Sequence, residues 1–332
     1  MKKGLAWMAA CISVAVLFLA VFPARQEAGN EVLMQAAVRK LLPGEDALEE
    51  SIRVYLSDAD EIREMPLEEY VAGVVTAEMP QSYAAEALRA QAIAARTYAL
   101  KKSPRFGGSG CLRHPKADVC TSSACCQGYE EPAEDSAAAR AAQDTAGLVI
   151  CFRGHLIHAM YHASAGGHTE DCENVYSDAI AYLRGVPSEG EENYKQYAST
   201  ATFTASQLQS AFSDNDNVQI STEFPLEDQL EVIARSETGR VTAFRAGLGA
   251  LTGTEVRHAL KLRSAMFDMT FSGESVTFSV RGYGHGVGMS QTGADFMAKS
   301  GKTAREILEW YYTGVEIHHM SDLTATEDDC IL

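Results

Sequence analysis

The sequence predicts an α+β protein: an N-terminal transmembrane helix followed by a mixed helix and strand region, outside the cytoplasm, that carries a substrate cleft. Three observations lead there. Lys2 and Lys3 precede an uncharged run from Gly4 to Ala24, about long enough to cross a bilayer. Helical patterns gather early, over 65–100, and late, over 303–312, with strand-like runs between them. Hydrophobic residues make up 46% and charged residues 22% of the 332, which supports a packed core and excludes compositional disorder. The expected division is 1–24 cytoplasmic N-terminus and anchor, 25–58 stalk and first strand, 59–320 main folded region, and 321–332 tail. No period of 20 to 50 residues suggests a repeat architecture.

The two lysines stay in the cytoplasm and the rest is exported. Cleavage is disfavoured because Ala20 and Ala24 have Phe18 and Phe22 two positions upstream, where a small residue is needed. A cleaved signal is the alternative. Acidic residues number 45 against 28 basic ones, a formal charge of −17, which argues against a nucleic-acid binder.

The first informative segment runs from Met65 to Pro80. Pro66 suits a first helical turn, Glu68 and Glu69 complement its positive end, and Pro80 disfavours helix at Met79. Leu67, Tyr70, Val71, Val74 and Val75 recur at helical spacing, and their stripe reaches Glu78. A carboxyl on an apolar face is pushed toward its protonated form, so Glu78 is a candidate general acid. The other reading is a solvated Glu at a frayed helix end.

A second helix spans Ala84 to Leu100. Gln91, Ala95 and Tyr98 share one face with Arg96 beside it, a set able to line a cleft; an ordinary amphipathic surface helix is the alternative. Further on, His114, Cys120, Cys125 and Cys126 lie within one short loop. Three thiolates and an imidazole suit tetrahedral, structural zinc, whereas Cys111 offers a disulfide to Cys120, Cys125 or Cys126 instead. Cys151 and Cys172 are expected to pack as small hydrophobes or to bridge each other.

Residues 146–162 read as two strands around Gly154, with His158 and His162 as core imidazoles. Ala205 to Phe212 looks helical, and Leu230 to Ala234 and Ser275 to Val280 look like strands. The alternating glycines from Gly282 to Gly288 permit unusual backbone angles and would present Tyr283, His285 and Gln291 to substrate. Ser300-Gly301-Lys302-Thr303 resembles the end of a nucleotide loop, but Phe296 stands where its leading glycine belongs; Thr303 to Tyr312 starts a helix instead.

Several motifs in order carry a family resemblance. They are Glu69-Tyr70-Val71, Ala77-Glu78-Met79-Pro80, Glu86 through Tyr98, Ser164-Ala165-Gly166-Gly167-His168-Thr169-Glu170, Asn174-Val175-Tyr176 and Gly282 through Gln291. Together they resemble the stage II sporulation protein D family and its amidase-enhancer relatives. The resemblance implies a lytic transglycosylase of bacterial wall glycan, with residues 59–320 as its catalytic region and Glu78 as the catalytic residue. Its substrate would be glycan strands whose stem peptides an amidase partner has removed, and the products would carry 1,6-anhydroMurNAc ends. The resemblance further implies that Ser164 and His168 line the sugar cleft and that the metal set is His, Cys, His, Cys; Gln91, Arg96 and Tyr98 are the candidates, by position and chemistry, to meet the MurNAc carboxylates. Cys125 replaces the second His of that set. The expected setting is the sporulation septum or engulfing membrane, alongside other engulfment membrane proteins. The alternative function is a noncatalytic wall-binding scaffold that stimulates an amidase.

Overall fold

The computed structural model describes residues 50–323 apart from Ser177 and Asp216. The anchor segment, most of the stalk and the end of the tail lie outside those residues. Among the described residues, no helix is long and apolar enough to cross a membrane.

The chain enters on an antiparallel hairpin, β1 (Ser51–Leu56) and β2 (Glu61–Pro66), whose first strand also pairs in parallel with the short β3 (Val119–Cys120). Helix α1 (Leu67–Glu78) starts directly after Pro66, with Glu68 and Glu69 in its first turn. It ends where Met79 turns extended ahead of Pro80, as the sequence requires. Leu67, Tyr70, Val71, Val74 and Val75 all face the core. The sequence missed β2, whose mostly exposed and polar residues show no buried face.

Helix α2 (Ala85–Lys102) is a central helix, not a surface one. Its alanines let α1, α3 (Ala137–Asp144), α6 (Gln291–Lys299) and α7 (Ala304–Tyr311) all pack against it, so it is buried on nearly every side. Strands β4 (Leu148–Phe152) and β5 (His155–Leu156) form the expected pair around Gly154, and β14 (Glu316–His319) closes the other edge of β4. The dipeptides β6 (Tyr161–His162) and β13 (Met289–Ser290) pair in parallel. His162 is a core imidazole, whereas His158 is exposed.

A second hydrophobic core, from Leu208 to Val280, is built by a separate stretch of chain. There β7 (Ala198–Thr204), β12 (Ser275–Arg281) and β11 (Met266–Ser272) form one antiparallel sheet. Strands β8 (Leu230–Arg235), β9 (Val241–Ala246) and β10 (Gly249–Leu251) form another. Helices α4 (Ala205–Ala211) and α5 (Gly253–Ala259) pack with them. The chain then returns through the glycine run. Gly282, Gly284, Gly286 and Gly288 all have positive φ, and a Cβ on Gly284 would stand 2.6 Å from that of His162, so this run lies against the β6 segment only as glycine. Thr303 caps α7 in a capping box with Glu306, which accounts for the nucleotide-like Gly-Lys-Thr string.

Arg96 is internal, which corrects its reading as a substrate contact. Its side chain is 0% exposed and pairs with Glu68 on α1, Nε to Oε1 at 2.9 Å. It also donates to the carbonyls of Leu148 and Ala142, both at 3.1 Å. Arg96→Ala strips these acceptors of their donor and is expected to cost about 3–5 kcal/mol of stability, measured by urea unfolding. An unchanged midpoint with weakened glycan binding would return Arg96 to the cleft.

Candidate active site

Glu78 closes the last turn of α1 and is half-buried. Its Oε1 accepts the Gly128 N–H at 2.9 Å, and Gln291 Nε2 lies 3.5 Å from its Oε2. Gln291 opens α6 and also donates to Gln91 Oε1 on α2 at 3.4 Å. Three segments far apart in sequence therefore converge on one carboxyl. Burial pushes that carboxyl up from its ordinary value, while the two donors, which favour the ionised form, pull it partly back. No second acid contributes to the shift among the described residues.

Aromatic phenols surround the group. Tyr70 donates to Gln127 Oε1 at 3.2 Å, and Gln127 Nε2 donates to the Tyr161 hydroxyl at 2.8 Å. Burial, reinforced by charges that include Glu78, holds both phenols well above their ordinary value, so they stay neutral donors. Tyr98 sits between these rings and the cysteine loop, with Lys102 Nζ 5.6 Å over its ring.

That loop positions the site. The Sγ atoms of Cys111, Cys120, Cys125 and Cys126 lie within 4.8 Å of one another, with Cys111 to Cys125 at 3.6 Å and Cys125 to Cys126 at 3.9 Å. Tetrahedral thiolate coordination at about 2.3 Å sets sulfur atoms roughly 3.8 Å apart, so the four cysteines could hold a metal ion. All are free thiols, so the disulfide alternative does not occur here; Cys151 and Cys172 are likewise buried and unbridged. The expected His114 is displaced from the set by Cys111. Its ring stacks on Tyr55 at 3.5 Å and its Nδ1 lies 3.3 Å from Cys111 Sγ, one step outside the sulfur cluster. Two residues after Cys126 comes Gly128, the Glu78 donor.

Of the remaining expected contacts, Gln91, Gln291 and Tyr98 gather at this site, whereas Ser164 does not. Its hydroxyl donates to the fully buried Glu191, which also collects the Gly166 N–H and the hydroxyls of Ser188 and Ser290. An internal carboxylate needs all its lone pairs met, and Ser164 meets one. His168 turns its Nδ1 to the Thr169 carbonyl at 2.8 Å. Tyr283 and His285 lie with His162 on the other side of β6 from the Tyr161 ring. The sequence reading missed Gly128, Gln127 and Tyr161. Gln127-Gly128 follows Cys126 directly, and asking what a pinned loop presents would have found it.

A family model described as Stage II sporulation protein matches residues 55–152, which include Glu78, Gln91, the four cysteines and Gly128. Stage II sporulation protein D of Bacillus subtilis (strain 168) is 31% identical over 331 residues, spanning 92% of this chain and 91% of the relative. The Bacillus amyloliquefaciens protein of the same name is 32% identical over 295 residues, 84% and 83% of the two chains. The amidase enhancer of Bacillus subtilis is 26% identical over 292 residues, 74% of this chain but 40% of that protein. The class is thus that of bacterial sporulation proteins, here with a mixed α+β fold. The chain belongs to the stage II sporulation protein D family.

A raised carboxyl pKa also has a signature in stability. Below the ordinary value of 4.5 Glu78 is protonated whether folded or not. Between that value and its raised one, the unfolded carboxyl ionises first, so rising pH lowers stability across this window. Glu78→Gln should therefore be more stable than wild type above the window and no more stable below it. Urea titrations at acid and neutral pH measure the difference, and a pH-independent difference would contradict the desolvated placement.

Proposed function

We propose that this chain is a lytic transglycosylase that cuts MurNAc-GlcNAc bonds of peptide-free peptidoglycan strands and releases 1,6-anhydroMurNAc ends. The observation that carries the reading is Glu78, a lone carboxyl with raised pKa, approached by two neutral donors and no second acid. Glu78 first gives its proton to the glycosidic oxygen as the bond to C1 breaks, leaving GlcNAc with a hydroxyl. The resulting carboxylate then takes the proton of the MurNAc 6-hydroxyl as that oxygen closes on C1. Proton and leaving group balance, and Glu78 returns to its acid form. Because the nucleophile belongs to the substrate, the second carboxylate of ordinary glycosidases is dispensable.

The Gly128 N–H and Gln291 amide stabilise the carboxylate between the two transfers and hold it on the substrate side of the helix end. Among the described residues the buried Gln91 Nε2 has no acceptor, which leaves an unused donor beside the Gln291 amide. Neutral Tyr161 and Tyr70 supply dipoles around an oxocarbenium-like transition state without adding charge.

Zinc in the four-cysteine set would be structural, with no open position for water. Its role would be to fix the loop that brings Gly128 to Glu78. The chain would act outside the cytoplasm at the sporulation septum or engulfing membrane, held by its N-terminal segment, on strands stripped by an amidase in the same assembly. The similarity to an amidase enhancer favours a second reading, a wall-binding scaffold that stimulates the amidase without cutting glycan.

Incubation of denuded glycan with the purified protein separates the two. Wild type is expected to release anhydro-ended fragments and Glu78→Gln none, a loss on the order of a hundredfold or more in rate. Binding without fragments from wild type would leave the scaffold reading. For the metal, Cys111→Ser should lower zinc content measured by elemental analysis, whereas His114→Ala should keep it; the reverse pattern would restore the imidazole to the set.

A further inference from the structure

With Arg96 sealed inside the fold, the anionic sugar of the proposed substrate lacks its expected cation, and one stands elsewhere. Arg257, on α5 of the second core, is half-buried, and no carboxylate lies within salt-bridge distance of it among the described residues. Its Nε donates to the Arg263 carbonyl at 3.2 Å. It lines a small cavity between the two cores together with Glu170, Asn174, Arg240 and His285.

The charges there do not cancel. Glu170 is saturated, accepting from Ser236, Thr238, Asn174 and the Asp171 N–H, and it faces Arg240 at 4.0 Å. That pair leaves Arg257 over. Arg240 is 3% exposed, and among the described residues its Nε has no acceptor. Burial and the Arg257 guanidinium push His285 down to about 4, so this imidazole adds no positive charge at neutral pH and offers no counter-anion either. The cavity walls thus carry one net positive charge in a chain of −17. A desolvated cation without a partner is costly, and a carboxylate ligand would offset that cost.

Two exposed aromatic rings stand beside Arg257, outside the cavity lining. Tyr176 and Tyr283, 41% and 44% exposed, flank Arg257, and Arg263 lies 5.2 Å over the Tyr283 ring with no acidic partner among the described residues. Exposed aromatic faces pack against the apolar C–H faces of pyranose rings, and guanidinium groups hold carboxylates through paired N–H bonds.

We propose that Arg257, with Tyr176, Tyr283 and Arg263, forms an auxiliary glycan-binding site that takes the lactyl carboxylate of a muramic acid unit. It lies on the opposite side of β6 from the Glu78 site. The proposal rests on peptidoglycan being the substrate, since removal of a stem peptide is what frees that carboxylate. It deepens that reading by explaining selection for stripped strands: an amidated lactyl group carries no charge to meet Arg257.

The test uses the Glu78→Gln protein, which holds strands without cutting them, and measures affinity calorimetrically for three oligosaccharides of equal length. These are a denuded MurNAc-GlcNAc strand, the same strand with its lactyl carboxylates converted to amides, and a GlcNAc-only strand. The acid strand is expected to bind roughly tenfold to a hundredfold tighter than the amide. Arg257→Gln should abolish that preference while leaving the GlcNAc-only affinity unchanged. Arg263→Gln at the rim should reduce the preference in part, and it serves if the Arg257 variant does not fold. Equal binding of acid and amide strands by the Glu78→Gln protein overturns the proposal. So does a preference that survives Arg257→Gln. Anhydro product from wild type with no carboxylate preference sinks this site alone; preference without product keeps the site and removes the transglycosylase reading.

Discussion

Arg96 is the interaction on which the first core depends. A guanidinium shut away from water is tolerable only when its charge and its N–H groups are all answered, and here one side chain ties α2 to Glu68 on α1, to the end of α3 and to β4. Glu68 also accepts the Gly147 N–H at its Oε1, which fixes the turn that enters β4. Helix α1 is thereby held at its first turn, and the position of Glu78 at its last turn follows from the rigidity of the helix between them. The residue that looked most like a substrate cation is the one that orients the helix carrying Glu78.

The far end of α1 is held differently. The Tyr129 ring lies so close over Gly73 that a Cβ there would stand 2.1 Å from it, and Glu130 N–H bonds the Gly73 carbonyl, so the segment after the cysteines is laid against the helix. A Cβ on Gly128 would come within 3.1 Å of Glu78 Oε1, which leaves glycine as the residue that lets backbone approach the carboxyl. Sulfur cluster, Gln127 amide and Gly128 N–H therefore act as one unit: the cluster fixes the loop and the loop fixes the hydrogen bond. Such a site has its precision built by packing, with the buried Tyr70 ring beside the same loop.

Two cores meet along a glycine-rich return strand, which sets different side chains on the two sides of β6. Positive φ at alternate residues from 282 to 288 lets the return segment lie against the β6 segment with almost no side-chain volume between them. Tyr161 and His162, adjacent in sequence, then serve opposite sides: the phenol faces the Glu78 network and the imidazole faces His285. Gln291 starts a helix immediately after β13 and reaches back to Glu78, so the residues on either side of this strand pair are set by one piece of backbone geometry.

Local sequence determined the ends and faces of α1, the pair around Gly154, the capping of α7 and the placement of Glu78 on an apolar stripe. Each follows from Pro, Gly, charge and periodicity acting over a few residues. The sequence also identified Gln291 and the cysteine loop as chemically significant, because glycine alternation and clustered thiols are unusual enough to read directly. Only the tertiary structure decided that α2 is central, that Arg96 and Ser164 are spent on buried carboxylates, that Cys111 displaces His114 from the sulfur cluster, and that Gly128 meets Glu78. Each of those is a choice of partner across 14 to 200 residues of chain, made by packing and by the requirement that buried charges be answered. Local pattern says what a side chain offers, and the fold decides which offer is taken.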